Sequence, residues 1–306
     1  MAYGWSSTSY DEWRETCDTL HAHTQFLGKL CVALAPPEPQ LQHAALRLTA
    51  RGWETLPLPA PNGSGVFVAA LDLRTHHLLI ESSDGMGAAI ALAPNRPVGE
   101  VVREGLAAIG ELAGEVTIDP APQEVAWTVP LDEDDEHRIY DPDQVKAYFE
   151  MATVAGMALT RFRAPFRGRS TPLNAWWGSF DLAVNLFSGR PAEPPSDDFI
   201  MRNAMDAQEV AVGWWPGDGR YAKPAFYAYA HPPEDGFSGR DLSPVPGRWS
   251  DELGEYLLDH EEAPAAGDPE QAVVDFCGEI FNHACNVCDW NPALAASAAG
   301  DPPPVR

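Results

Sequence analysis

The sequence predicts an α+β fold made by tandem duplication of an α-β4-α unit, with mainly antiparallel sheets and helices packed on one face. Three observations carry this. Several short segments alternate apolar and polar residues, as half-buried strands do. Longer segments repeat apolar residues at three- and four-residue intervals, as amphipathic helices do. The order of these segments is the same in both halves: helix, an Ala-Pro break, four strands, helix.

Taken in order, Ser9-Tyr10-Asp11-Glu12 fits a capping box that opens a helix running to about Leu34, before Pro36-Pro37. Its apolar side carries Leu20, Leu27, Leu30 and Leu34. His21, Gln25 and Lys29 recur at i, i+4 and i+8 and form a polar stripe, which is either a solvated face or a row of groups facing a pocket. Residues 43–50 alternate as a strand, and 66–73, 77–81 and 88–92 follow as three more. Pro97 starts a helix carrying Val101, Val102, Leu106, Ile109 and Leu112. Residues 119–141 are a linker rich in proline and acid, including the run Asp132 to Glu136 beside His137. Pro142 begins a helix to about Phe162.

Residues 173–189 then read as one long strand. Trp176, Phe180, Leu182, Val184 and Leu186 fall on one side, and Trp177, Ser179, Asp181, Ala183 and Asn185 on the other. Further strands are expected at 209–215, 224–230 and 254–259, and Asp268-Pro269 caps a last helix. The predicted boundaries are 9–118 for the first repeat, 119–141 for the linker, 142–290 for the second repeat and 291–306 for a disordered tail.

Composition narrows the function classes. The formal net charge is −25, which repels phosphate backbones and anionic membrane surfaces, so neither nucleic acid nor membrane is an expected partner. No apolar run is long enough to span a bilayer. The opening residues lack a basic segment followed by an apolar one, so a cytoplasmic location is expected. Five cysteines, an odd number, point to reduced thiols. Cys285-x-x-Cys288 lies in the last predicted helix with no second Cys pair, so buried structural thiols are expected rather than a metal centre.

No phosphate loop, dinucleotide fingerprint or metalloprotease motif is present. Candidate chemistry rests on proton carriers and aromatic walls. Asp181, Glu209, His21, His137 and Tyr140 are the candidate acids and bases, since a carboxyl group against an apolar wall resists ionisation. Gln25, Lys29, His43, Trp177, Trp215, Tyr227 and Tyr229 are the candidate substrate-binding groups, with the long strand as the floor of the pocket.

A set of local motifs extends this reading: Thr19-Leu20-His21, Gly28-Lys29, Thr49-Ala-Arg-Gly52, Glu136-His137, Tyr140-Asp141, Trp177-Gly-Ser-Phe-Asp-Leu-Ala183, Phe187-Ser-Gly-Arg190, Trp215-Pro-Gly217 and Phe226-Tyr-Ala-Tyr229. Together they resemble the bacterial domain-of-unknown-function family DUF5996 over residues 12–290. The resemblance implies no activity. It implies histidine in many relatives at the positions of Asn174 and Gln208, so a metal-binding or proton-transfer step at those positions would be absent or altered here.

The expectation is a cofactor-independent enzyme doing cyclase-, isomerase- or lyase-type acid–base chemistry on a small, largely apolar organic substrate of specialised metabolism. No cofactor and no resident metal are predicted. Two alternatives stand beside it: a non-catalytic small-molecule-binding protein, and a metal-dependent hydrolase or oxygenase using His43, His137, Glu209 and Asp181.

Overall fold

The computed structural model describes residues 3–297. They fall into two units: Tyr10–Phe149 with Asn174–Asp181, and a second made of the residues up to Ser9, Glu150–Leu173 and those from Leu182 onward.

The first unit opens with α1 (Tyr10–Leu34), whose helical backbone is interrupted at Trp13. A 3-10 turn at Pro39–Ala44 leads into β1 (Arg47–Leu48), β2 (Gly52–Glu54), β3 (Leu58–Pro59), β4 (Val66–Asp72), β5 (His77–Ser82) and β6 (Gly87–Ala91). These form an antiparallel sheet of order β1-β2-β4-β5-β6, with β3 paired to β4. α2 (Val98–Ala113) packs on β5 and β6, and α1 packs on β3, β4 and α2. Gly105 of α2 makes that approach possible, because a Cβ there would lie 2.9 Å from the Phe26 ring of α1. The core gathers Leu20, Phe26, Leu30, Phe67, Ile80 and Ile109, all at most 1% exposed. β7 (Asn174–Trp176) also belongs here, through paired backbone hydrogen bonds between Leu46 and Ala175.

α3 (Pro142–Arg163) starts in the first unit and continues into the second. The second unit holds β8 (Asp181–Pro191), α4 (Phe199–Ala204), β9 (Ala207–Trp215), β10 (Ala225–His231), β11 (Arg248–Ser250) and β12 (Glu255–Asp259), in the antiparallel order β11-β12-β10-β9-β8. α5 (Pro269–Val287) packs on β9, β10 and β12 through an apolar stripe that includes Val273, Phe276, Cys277 and Ile280. Its start is capped as expected, with the Asp268 carboxylate accepting from the Gln271 N–H at 3.1 Å. All five cysteines are free and buried, and burial pushes the Cys31 and Cys285 thiols up to about 12.

The α+β class is therefore observed, with two mainly antiparallel sheets. Three local expectations change. Twelve strands are described instead of eight, because β2, β3 and β11 are additional and the segment over 173–189 divides into β7 and β8, while the strand expected over 43–50 is reduced to β1 after the 3-10 turn. The long strand over 173–189 is two strands separated by a turn at residues 177–180, where Phe180 adopts a positive φ of 56° that no strand accommodates. Trp177 and Asp181 thus share no strand face, and the proposed pocket floor does not exist in that form. Finally, Pro292–Ser297 forms a short helix, α6, where a disordered tail was expected, and residues 298–306 lie outside the described residues. The duplication remains an expectation that rests on the shared order of elements.

Candidate functional site

α1 is polar in composition yet almost wholly buried. From Thr16 to Cys31 only Asp18 is partly exposed. The polar stripe predicted on it is neither solvated nor open, because residues 114–141, which contain no helix or strand, run along it as a strap. The segment expected as a linker therefore packs against a helix. Lys29 lies 3.7 Å from Asp119. Gln25 donates to the Gln123 carbonyl at 2.8 Å and accepts from the Gln123 N–H at 3.0 Å. His21 meets the Trp127 ring edge-on at 5.3 Å, and Thr16 accepts from the Asp141 N–H at 3.2 Å. The strap runs antiparallel to α1, one anchor per turn or so.

The far part of the strap also closes the start of α2. The N–H groups of Val98 and Gly99 donate to the carbonyls of His137 and Asp134, each at 2.9 Å. These first-turn donors have no partner within a helix and need one outside it. Gly99 is required, since a Cβ there would stand 2.9 Å from the Asp134 nitrogen.

Within the strap sits an Asp–His pair. His137 Nδ1 donates to Asp134 Oδ2 at 2.8 Å. The other carboxylate oxygen accepts from the Glu136 and His137 N–H groups, each at 3.0 Å, and Asp134 is fully buried. Burial alone would lower the His137 pKa, but the hydrogen bond and charge of Asp134, helped by Asp18 and Glu136, outweigh it and the net shift is upward. The bond fixes the tautomer and leaves Nε2 as the second nitrogen.

His21 is shifted the other way. Burial lowers it to about 4, against the opposing pull of hydrogen bonds to the Trp177 and Gly178 carbonyls at 2.9 and 3.0 Å. Those carbonyls require Nε2 to carry the proton, which leaves Nδ1 as the acceptor. Gln25 Nε2 lies 3.3 Å from the same nitrogen. Its orientation is already set by Gln123, so two donors face each other and this approach is a contact, not a hydrogen bond. The His21 ring stacks on Phe180 at 4.9 Å, and Phe180 in turn stacks on Trp53 and Tyr148 at 5.2 and 5.1 Å. Trp127 touches both histidines, His137 at 4.7 Å and His21 at 5.3 Å. Its indole N–H is buried with no hydrogen-bond partner among the described residues. His23, also lowered to about 4 by burial, is drawn the opposite way by the charge of Asp134.

The first unit thus brings together His21, His137, Asp134, Trp127 and Phe180. The other sequence-predicted residues of this unit lie elsewhere in it. Trp177 covers Gly28, donates to the Ala44 carbonyl at 3.0 Å and has Lys29 over its ring at 5.6 Å. Burial lowers the Lys29 pKa. Tyr140 pairs with His76 Nδ1 at 3.0 Å, and burial raises its pKa. His43 accepts from the Glu38 N–H at 3.0 Å. Asp181, 5% exposed, accepts from the Ser179 hydroxyl. Asn174 is fully buried between Arg47 and Gln42. A shallow cleft of about 230 Å³ opens beside the strap, between Trp13 and Thr16 of α1 and Ile139, Asp141 and Gln144.

In the second unit, the strand register places Glu209, Trp215, Tyr227 and Tyr229 on one face of β9 and β10, with Asn185 and His231. Glu209 and Trp215 are six residues apart on β9, ~20 Å along the strand. Trp215 packs on Tyr227 at 5.8 Å, and Tyr227 stacks on Tyr229 at 6.1 Å. Glu209 is 2% exposed, accepts from the Asn185 amide at 3.0 Å and is raised by burial to about 8, so it carries a proton at neutral pH. Gln208, one residue earlier, has a buried side-chain oxygen with no hydrogen-bond partner among the described residues. Among the described residues no three His, Cys, Asp or Glu side chains are grouped to hold a metal ion, so His43, His137, Asp181 and Glu209 form no ligand set.

Asp134 and Trp127 escaped the sequence reading as site residues. The i, i+3 spacing of Asp134 and His137 was the available signal for the first. Nothing in the sequence pairs Trp127 with a helix a hundred residues earlier.

A family model described as "Family of unknown function (DUF5996)" matches residues 5–297, and the chain belongs to that family. No curated protein and no solved structure matches it. Among the described residues no helix is long and apolar enough to cross a membrane.

Proposed function

We propose that this member of a family without an assigned activity is a cofactor-independent acid–base enzyme, and that its first unit carries the reaction. One observation supports the reading above the others: two histidines whose proton affinities are driven apart, His137 upward and His21 down to about 4, flank the same indole. Paired groups displaced in opposite directions are the arrangement that lets one site donate and accept a proton at one pH. His137, oriented by Asp134, is the donor. His21, held neutral with Nδ1 as its acceptor nitrogen, receives. Trp127 and Phe180 supply aromatic faces suited to a small, largely apolar organic substrate, and such faces also stabilise a developing cation. Proton transfer without redox or group transfer corresponds to isomerase, cyclase or lyase chemistry, and specialised metabolism in the cytoplasm is the setting that fits it.

A second reading is non-catalytic binding. The close ring stacking around Phe180 supports it, because such stacks are also what a rigid core contains. The two readings separate in one experiment. Purified protein is incubated with a small-molecule extract of cells, and consumed and retained compounds are followed by mass spectrometry. The enzyme reading expects a compound consumed by wild type and at least ~100-fold more slowly by His137→Gln and His21→Gln, the scale of a lost acid or base. Retention of a compound without conversion would establish the binding reading. Equal turnover in wild type and both variants would remove this pair from the chemistry.

A further inference from the structure

We propose that residues 120–131 are a hinged lid, which swings away from α1 as one body and carries Trp127 off His21 and His137 to admit the substrate. What the lid admits rests on the acid–base reading; that it moves rests on the geometry of the strap. The two ends of the segment are tied to each other, since Leu131 N–H donates to the Pro120 carbonyl at 2.9 Å. A surface stretch of this length with joined ends is an Ω-loop. Pro120, Pro122 and Pro130 fix their own φ angles, so the loop keeps its shape as it moves.

The base of the loop is held independently of its tip. Leu131, at the neck, is fully buried. Just beyond it the Asp132 carbonyl accepts from the Arg103 guanidinium, and the Arg138 carbonyl from the Asn95 N–H at 2.9 Å. Between these two, the Asp134 and His137 carbonyls accept from the first turn of α2. On the other side of the neck, the Ala113 carbonyl accepts from the Asn62 N–H at 3.0 Å. His137 therefore stays with α2, and His21 with α1, when the loop leaves.

The loop covers other residues without being covered itself. Residues 121–130 are all exposed or half-buried, whereas Gln25 and His21 beneath them are 0% and 9% exposed. The loop is tied to α1 through Gln25, bonded both ways to Gln123, and through the Trp127 ring on His21. A segment with few buried apolar contacts opens at low free energy. The closed form also leaves the Trp127 indole N–H buried with no partner among the described residues, a cost that water relieves on opening. Trp127 packs against both histidines when closed, so a substrate reaches the pair only once the indole has left.

The test uses the full chain and no substrate, so its result is independent of whether the acid–base reading holds. Amide exchange is followed by NMR. Labelling by diethyl pyrocarbonate, which acylates an accessible neutral imidazole, is mapped by mass spectrometry. In wild type, Gln123 N–H is expected to be at least ~10-fold less protected than Leu131 N–H, because opening breaks the bond to Gln25 and keeps the neck. Gln25→Met keeps the bulk of the side chain and loses both bonds to Gln123. It should speed labelling of His21 by ~10-fold, the scale of one or two lost hydrogen bonds, and leave His260, buried in the second unit, unchanged. Equal protection of Gln123 and Leu131 in wild type would overturn the proposal whatever the variant does. So would His21 labelling that Gln25→Met leaves unchanged, or speeds only as much as that of His260.

Discussion

Asp134 raises the proton affinity of His137 against the effect of burial, and that dependence is measurable one side chain at a time. Followed by NMR, the His137 imidazole is expected to titrate above the ordinary histidine value, and Asp134→Asn should bring it back down. His21 in the same spectra should titrate near 4. Because the folded pKa of His137 is raised, its contribution to stability is complete below the unfolded value of 6.5 and fades as pH rises through the folded value. Glu209 follows the same sign over a wider window. Its stabilising effect is whole below 4.5 and is lost as pH climbs through about 8, where a buried charge must form. Glu209→Gln should therefore flatten the alkaline decline in melting temperature relative to wild type. At this scale the sequence was readable in part. The stripe of His21, Gln25 and Lys29 is visible from its spacing, and so is the place of His137 beside an acidic run. What these groups touch was not visible, because Gln25 finds Gln123 and His21 finds Trp127 about a hundred residues away.

The strap is the element whose removal should be felt most. Gln25→Ala deletes both bonds to Gln123 and strands two backbone groups, a loss of ~1–3 kcal/mol in urea unfolding if water does not replace them. Gly99→Ala pushes a methyl group into the Asp134 backbone and should lift the strap from the start of α2. Faster hydrogen exchange at Val98 and Gly99 is the expected signature, and unchanged exchange would contradict the capping role. The long helices were legible to within a residue or two, since proline at the first turn and apolar spacing mark them plainly: Pro142 to about Phe162 was expected and Pro142–Arg163 is observed. The break at 177–180 was not legible. Apolar alternation continues straight through it, and only the backbone angle of Phe180 reveals the turn. The strap was hidden for a different reason. It has no periodicity, being held by single hydrogen bonds and ring contacts, so proline and acid made it look like a tether.

For the molecule as a whole, acid is the expected weakness. His21, His23 and His260 are each held near 4 by burial. A lowered pKa contributes stability that is present above 6.5 and lost as pH falls toward 4. Each group accounts for ~3 kcal/mol at most, at ~1.4 kcal/mol per pKa unit. Denaturant midpoints should fall steeply between pH 6.5 and 4, and His23→Phe should blunt that fall. A flat profile across this interval would mean that these rings are hydrated. The class of fold was visible from the sequence because it depends on patterning summed over whole segments. Patterning carries no mark of the two units, because one is assembled from two separate stretches of chain and the other from three.

That discontinuity reaches back to synthesis. Trp177 and Phe180 fill the interior of a unit that, outside their own segment Asn174–Asp181, is made wholly of residues before position 150. On a ribosome, everything up to Phe149 emerges before the tunnel releases the aromatic pair that His21 and Gly28 await. A nascent chain halted there is left with an open seam, and is a natural client for chaperones until the next thirty residues or so are translated.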